Sequence, residues 1–473
     1  MKRQGQASNS SGLGRIAPCR IQIRQGATIV QSQEDDRAEC QSWSNRAINT
    51  AFELGYYKIM VNATIRLWRM KLFDYGNSVI RGVDMAEFIN RDLHELLIRM
   101  AGWFPVVSLT GPRQSGKSTL VRHAFPDYSY VTLEDPQTRR AALEDPVSFI
   151  RNRKGGLIID EAQYAPDLFS MIQVVSDERG DAGQYILTGS QNFLMMKSIG
   201  QSLAGRVGIL KLLPLSFREA ERGQQGQLEV DLFALEGGYP RLRSAGMPSS
   251  VYFPSYIDTY VERDVVGLLD VRNKAEFHKF LSIIAQSVGA LINISSLSRD
   301  TGVSVSTIKS WLSILEQSYL TFSLQPYYAN AKKRLTKTPK LYFYDTGLLC
   351  YLLKIGSLEQ LLESPYLGAV FENLIVSETA KSHLNVGENP ELYFYRDDSK
   401  REIDLLDCTN SGSPKAIEIK SSRTYHDKYA RHLQTVCDEI DIAKDARYVV
   451  ARVDSTYESK DCSVVSARDW LLR

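Results

Sequence analysis

A chain of 473 residues, 43% hydrophobic and 24% charged, exceeds what one hydrophobic core can serve and has room for about three or four ordinary globular domains. Its net charge of +2 excludes nucleic-acid affinity carried by the field of the whole molecule, so any such affinity must come from a local basic patch. No apolar run approaches the roughly 18–20 residues that cross a bilayer, which excludes a membrane-spanning protein.

The start (Met1-Lys2-Arg3) is basic but lacks the apolar stretch of a secretory signal, so cytoplasmic residence is expected. The six cysteines show no Cys-x-x-Cys spacing and no nearby His at zinc-finger distance, so neither a disulfide framework nor a zinc site is expected. Residues 1–84 open with a Gln/Ser/Gly/Arg-rich stretch of no sustained period. They are expected to be a poorly ordered extension, either a genuine flexible arm or, the favoured reading, translation from an upstream start when the natural one lies nearer Met70 or Met85. After Met85, Phe88, Leu93, Leu96, Leu97 and Met100 predict an amphipathic helix.

From Phe104, short apolar runs alternate with helical or polar stretches: Val106–Thr110, Tyr130–Leu133, Leu157–Asp160, Tyr185–Thr188 and Val207–Leu212. That alternation predicts a parallel α/β sheet over 85–215. Helical periodicity follows over 216–290, broken by the turn Gly237-Gly238-Tyr239-Pro240, and reads as a helical lid.

Between the first strand and the next helix stands Gly111-Pro112-Arg113-Gln114-Ser115-Gly116-Lys117-Ser118-Thr119, a G-x-x-x-x-G-K-[ST] loop. Its glycines let backbone N–H groups curl around phosphate oxygens, and a helix N-terminus adds partial positive charge. Lys117 supplies a full charge to the β- and γ-phosphates of ATP, and Ser118 a hydroxyl for Mg²⁺. The strand Leu157–Asp160 ends in Asp160-Glu161; Asp160 is expected on the metal and Glu161 as general base. Ser190, after the fourth strand, is a candidate γ-phosphate sensor, and Arg206 a candidate arginine finger toward a neighbouring copy in a homo-oligomer.

The run Phe104–Pro214 resembles the core of the AAA+ ATPases. Gly237-Gly238-Tyr239-Pro240 and Tyr256-Ile257-Asp258-Thr259-Tyr260-Val261-Glu262-Arg263-Asp264 are similar to a prokaryotic group that couples such an ATPase to a C-terminal domain of unknown function. The resemblance implies ATP binding with Mg²⁺ and leaves the biological role open.

Residues 291–346 read as a winged helix-turn-helix: two short helices around Gly302, with Ile308, Trp311, Leu312 and Leu315 on one apolar face, followed by two strands. Lys332, Lys333, Arg334, Lys337 and Lys340 lie between or beside those strands and form a candidate DNA contact. A packing or protein-contact module is the alternative.

The domain expected over 347–473 has a helix with Glu372, a strand with Asp404 and a strand Ala416-Ile417-Glu418-Ile419-Lys420, whose alternation puts Glu418 and Lys420 on one face. These positions resemble the PD-(D/E)xK nucleases, a restriction-endonuclease-like α/β fold. The resemblance implies a metal-dependent phosphodiester site at Glu372, Asp404, Glu418 and Lys420, or an idle scaffold of the same shape. The sequence thus predicts an ATPase that controls engagement of DNA or a protein partner by its C-terminal domains. The alternatives are an ATP-gated nuclease and an ATP-binding adaptor.

Overall fold

Apolar strands that read as unbroken runs of Val, Ile and Leu have both faces to bury, and helices cover both. In a computed structural model of the chain, residues 22–24, 27–29, 88–190, 192–224, 226–259, 274–327 and 338–473 are described. The chain divides into two compact units, Met1–Asp84 and Met85–Arg473. In the first, Gln22–Arg24 pairs antiparallel with Ala27–Ile29, a hairpin inside the stretch expected to lack regular structure. The remainder of that expectation lies outside the described residues, as does the segment Tyr260–Asp264.

The second unit begins with a five-stranded sheet: β1 (Val106–Thr110), β2 (Ser129–Thr132), β3 (Leu157–Asp160), β4 (Tyr185–Gly189) and β5 (Val207–Lys211). Their order is β2-β3-β4-β1-β5, and every pairing is parallel. Alternation along the strands divides the core. Val107, Ile158 and Ile186 pack with Leu97 of α1 (His94–Trp103) and with Leu120 and Val121 of α2 (Lys117–Ala124). Val106, Ile159 and Leu187 face the opposite way, toward Leu168, Phe169 and Ile172 of α3 (Asp167–Arg179). Truncating a fully buried strand residue such as Ile158 would cost about 2–5 kcal/mol.

The helix expected just after Met85 starts only at His94. Arg91 Nε and the Asp92 amide are both held by Glu219 Oε1, at 3.0 and 2.8 Å, and these contacts keep the preceding segment out of helical conformation. Phe88 stacks on His123 instead, with ring centroids 3.8 Å apart.

Beyond β5 come the short helices Phe217–Arg222, Val230–Glu236, Pro240–Ser244 and Ser249–Tyr256, then Lys274–Gln286. The first starts on a capping box between Ser216 and Glu219. Next, α4 (Ile294–Thr301) ends on Gly302 at φ 82°, and α5 (Val305–Gln317) starts on Ser304, whose hydroxyl accepts from the Thr307 amide. The left-handed cap suits glycine, and the turn it makes lets Trp311 and Ile308 reach the core.

Eight strands form the second sheet: β6 (Thr321–Pro326), β7 (Lys340–Phe343), β8 (Leu392–Arg396), β9 (Glu402–Asp407), β10 (Lys415–Lys420), β11 (Arg447–Ala451), β12 (Tyr457–Glu458) and β13 (Ser463–Ser466). Their order is β12-β13-β11-β10-β9-β8-β6-β7. The strands read as a wing, β6 and β7, are therefore continuous with the sheet of the end domain, and a boundary at 346/347 does not separate them. One hydrophobic core runs from Leu215 to Leu471 through the lid helices, α4, α5 and α6 (Leu367–Asn385). The physical reason is pairing: Tyr393 and Phe394 of β8 align parallel with Gln325 and Pro326 of β6. No helix among the described residues is long and apolar enough to cross a membrane.

Candidate functional site

The loop from Gly111 to Ser118 leaves β1 at its carboxyl end, where parallel sheets present ligand-binding loops. A Cβ on Gly111 would sit 2.0 Å from the Leu212 carbonyl, so glycine is required there. Gln114 and Gly116 have φ of 61° and 94°, and this left-handed pair curls the backbone around the mouth of α2. Lys117 is buried and donates to the carbonyls of Gly111 and Pro112 at 3.0 and 2.9 Å. Burial pushes its ammonium below the usual lysine value, against the pull of Glu161 and Asp160. Ser115 Oγ is buried in the loop without a partner.

Asp160 Oδ2 accepts from Ser118 Oγ at 2.8 Å and from Tyr130 Oη at 2.7 Å, and Oδ1 accepts from Thr188 Oγ1. Burial, then the contact with Asp160, raises the Tyr130 phenol above its ordinary range. The register that pairs Ile159 with Leu187 brings Asp160 alongside Thr188. A hydroxyl and a carboxylate are hard oxygen donors of the kind Mg²⁺ takes beside phosphate oxygens, and with the unpartnered Ser115 hydroxyl in the cradle these residues fit a Mg²⁺-nucleotide.

Glu161 has φ 54°, a conformation worth roughly 1–2 kcal/mol of strain for a residue with a Cβ. Gln163 Nε2 and Ser190 Oγ both donate to its Oε2, the latter at 2.8 Å. Ser190, expected as a sensor, thus contacts Glu161, the residue expected as the base.

Arg206 is not part of this site. It sits at the start of β5, its carbonyl accepting from the Val106 amide at the far end of β1 from the loop. Its guanidinium is paired with both oxygens of Asp177, at 2.6 and 2.9 Å.

Several contributors escaped the sequence reading. Tyr130 on β2 and Thr188 on β4 reach Asp160 through strand register, and Gln163 lies in the short turn Ala162–Tyr164 just after Glu161. Arg91 donates to the Ser115 carbonyl at 2.8 Å and to the Leu213 carbonyl at 2.7 Å while paired with Glu219. With Phe88, Ile89, Gly116, Thr119 and Pro240 it lines a cavity of ≈150 Å³ beside the loop.

The second candidate constellation is also brought together. Lys420 Nζ lies 2.6 Å from Glu418 Oε1 and 3.3 Å from Asp404 Oδ2, which also accepts from the Ile419 amide at 2.8 Å. Glu372 Oε1 accepts from Tyr342 Oη at 2.6 Å and from Lys340 Nζ at 3.3 Å. Lys340 had been read as part of the basic patch. It is 3% exposed and paired with Glu402 at 2.7 Å as well, which removes it from any DNA-facing surface. Lys332, Lys333, Arg334 and Lys337 lie outside the described residues. Among the described residues, no three His, Cys, Asp and Glu side chains are grouped so as to hold a metal ion.

A family model described as an AAA domain matches residues 104–221, and with the sheet and its phosphate loop it defines an AAA-type P-loop ATPase. Two further models, each a Domain of unknown function, match residues 228–359 (DUF8612) and 367–470 (DUF4143). The uncharacterized protein Rv2008c of Mycobacterium tuberculosis is 31% identical over 366 residues, 76% of this chain and 78% of that protein. The uncharacterized protein MJ1544 of Methanocaldococcus jannaschii is 24% identical over 353 residues, 68% of this chain and 75% of that protein. The chain belongs to the family of AAA-domain proteins that includes Rv2008c. Among solved structures it is similar to the Walker-type ATPase of Pyrococcus abyssi (TM-score 0.38, 15% identity, 58% of this chain and 99% of that one). It is also similar to the RuvB Holliday junction branch migration motor of Thermotoga maritima (TM-score 0.26, 16% identity, 51% and 92%).

Proposed function

We propose that the chain binds ATP with Mg²⁺, hydrolyses it, and uses the cycle to alter how its C-terminal half engages DNA or a protein partner. The observation that carries the first part is the contact of Ser118 with Asp160 beside the buried Lys117. Lys117 exchanges the carbonyls of Gly111 and Pro112 for the β- and γ-phosphates, replacing neutral acceptors with charged ones. Ser118 and Asp160 hold Mg²⁺, which when bound offsets phosphate charge. The cavity at Phe88, Ile89, Arg91 and Pro240 takes the adenine. Glu161 orients and deprotonates the attacking water once Gln163 and Ser190 release it.

The second part rests on contacts that tie the ATPase to the end sheet. The Phe217 amide donates to Glu378 Oε2 on α6 at 2.7 Å, and Lys381 Nζ to the Leu215 carbonyl at 3.3 Å. DNA would meet α4, α5 and the basic residues that follow β6. The grip of Gln163 and Ser190 on Glu161 favours one further reading, a nucleotide-binding adaptor that turns over slowly.

Phosphate release by the wild type and by Glu161→Gln, with and without duplex DNA, tests the proposal. Turnover that falls at least 100-fold in the variant with ATP still bound supports it, and stimulation by DNA supports the partner. Equal turnover in the two proteins refutes the assignment of the base.

A further inference from the structure

The geometry points to Lys340 as a resident cation that takes the place of a divalent metal in the nuclease-like constellation of the C-terminal sheet. Lys340 opens β7, is 3% exposed, and its Nζ lies 2.7 Å from Glu402 Oε1, 3.3 Å from Glu372 Oε1 and 5.4 Å from the centre of the Phe394 ring. It thereby joins β7 to α6 and to β9 in one buried ionic contact.

One oxygen of each carboxylate that a metal would use is already committed. Glu372 Oε1 holds Tyr342 and Lys340, Asp404 Oδ2 holds the Ile419 amide and Lys420, and Glu418 Oε1 holds Lys420. Arg396 takes the other oxygen of Glu402 at 3.1 Å. A Mg²⁺ ion is bound by carboxylates at about 2.0–2.1 Å in near-octahedral geometry and keeps several waters. Two ammonium groups, Lys340 on Glu372 and Glu402 and Lys420 on Asp404 and Glu418, oppose that by charge and by volume.

Glu418 Oε2 is buried without a partner, and in a metal site it would be the natural ligand. The cluster is nonetheless close to charge balance without a metal: Glu372, Glu402, Asp404 and Glu418 face Lys340, Lys420 and Arg396, which leaves one negative charge in excess.

The test is Mn²⁺ titration of the full chain carrying Lys117→Ala, which silences the nucleotide site, followed by calorimetry and by thermal melting. The background chain is expected to show no Mn²⁺ binding below ~1 mM, weaker than dedicated divalent sites, and no rise in Tm. Adding Lys340→Gln is expected to tighten Mn²⁺ binding at least tenfold and to make Tm rise with Mn²⁺. Adding Glu418→Gln to that variant should cancel the gain, and Lys340→Arg should behave as the background. Two results would overturn the inference: Mn²⁺ binding by the background chain that Glu418→Gln removes, or a folded Lys340→Gln chain that binds Mn²⁺ no better than the background. If Lys340→Gln does not fold, the background and its Glu418→Gln form must still show the same null response to Mn²⁺; a difference between them rejects the resident cation.

Discussion

The hydroxyl of Tyr319 lies 2.8 Å from that of Thr110, the residue that leads directly into the phosphate loop. Tyr319 follows α5 in a left-handed conformation (φ 56°) and is 5% exposed. Burial pushes its phenol up to about 12, so it stays protonated and can donate, while Thr110 donates onward to the Leu210 carbonyl at 3.4 Å. A double-mutant cycle of Tyr319→Phe and Thr110→Val should give a coupling energy of about 1 kcal/mol in urea unfolding. A coupling of zero would mean the contact carries no energy between the loop and the C-terminal half.

Ser190 is predicted to act through Glu161 rather than on the nucleotide directly, because its hydroxyl sits 2.8 Å from the glutamate. Ser190→Ala should change kcat at least tenfold and leave the ATP dissociation constant within about threefold, as expected when an interaction of the chemical step is altered. A tenfold loss of affinity with unchanged kcat would place Ser190 on the phosphates instead.

Arg206→Ala should leave ATP turnover within about twofold. Its bidentate pair with the half-exposed Asp177 is a surface ion pair, screened by solvent and of little consequence for stability. A loss of tenfold or more in turnover, measured at concentrations where the chain self-associates, would show that Arg206 serves a neighbouring copy.

Glu418 makes stability depend on pH. A carboxyl raised from 4.5 to about 8 in the fold contributes fully below its unfolded value, and that contribution is lost as pH rises from about 4.5 through 8. Melting temperature should therefore fall across this window, and Glu418→Gln should flatten the fall, with the variant gaining most against wild type near pH 9. Parallel curves for the two proteins would show that Glu418 is ionised in the fold.

Much of the ATPase half was legible because local pattern and local chemistry coincide there. Val106–Thr110 and Leu157–Asp160 were read to the residue, and the loop between Gly111 and Ser118 is a contiguous motif whose spacing carries its geometry. Arg91 and Thr188 were not legible, since a lone Arg or Thr becomes meaningful only when strand register and chain return bring it to the loop. The place of Arg206 before β5 says nothing about which end of its own sheet it faces. In the C-terminal half, Asp404, Glu418 and Lys420 do meet, while Glu372 bonds to Tyr342 and Lys340. Lys340, by contrast, reads as one more charge in a basic run until β7 carries it onto Glu372 and Glu402. The continuity of β6 with β8 joins segments nearly 70 residues apart, Gln325 to Tyr393, and no periodicity within either strand announces it.

The most direct measurement is calorimetric titration of ATP with Mg²⁺ into the wild-type chain and into Lys117→Ala. Saturable one-site binding by the wild type, weakened at least 100-fold in the variant, is the predicted result, a loss of about 2.7 kcal/mol or more. Equal affinity in both proteins, or no binding by a folded wild type, would contradict the account.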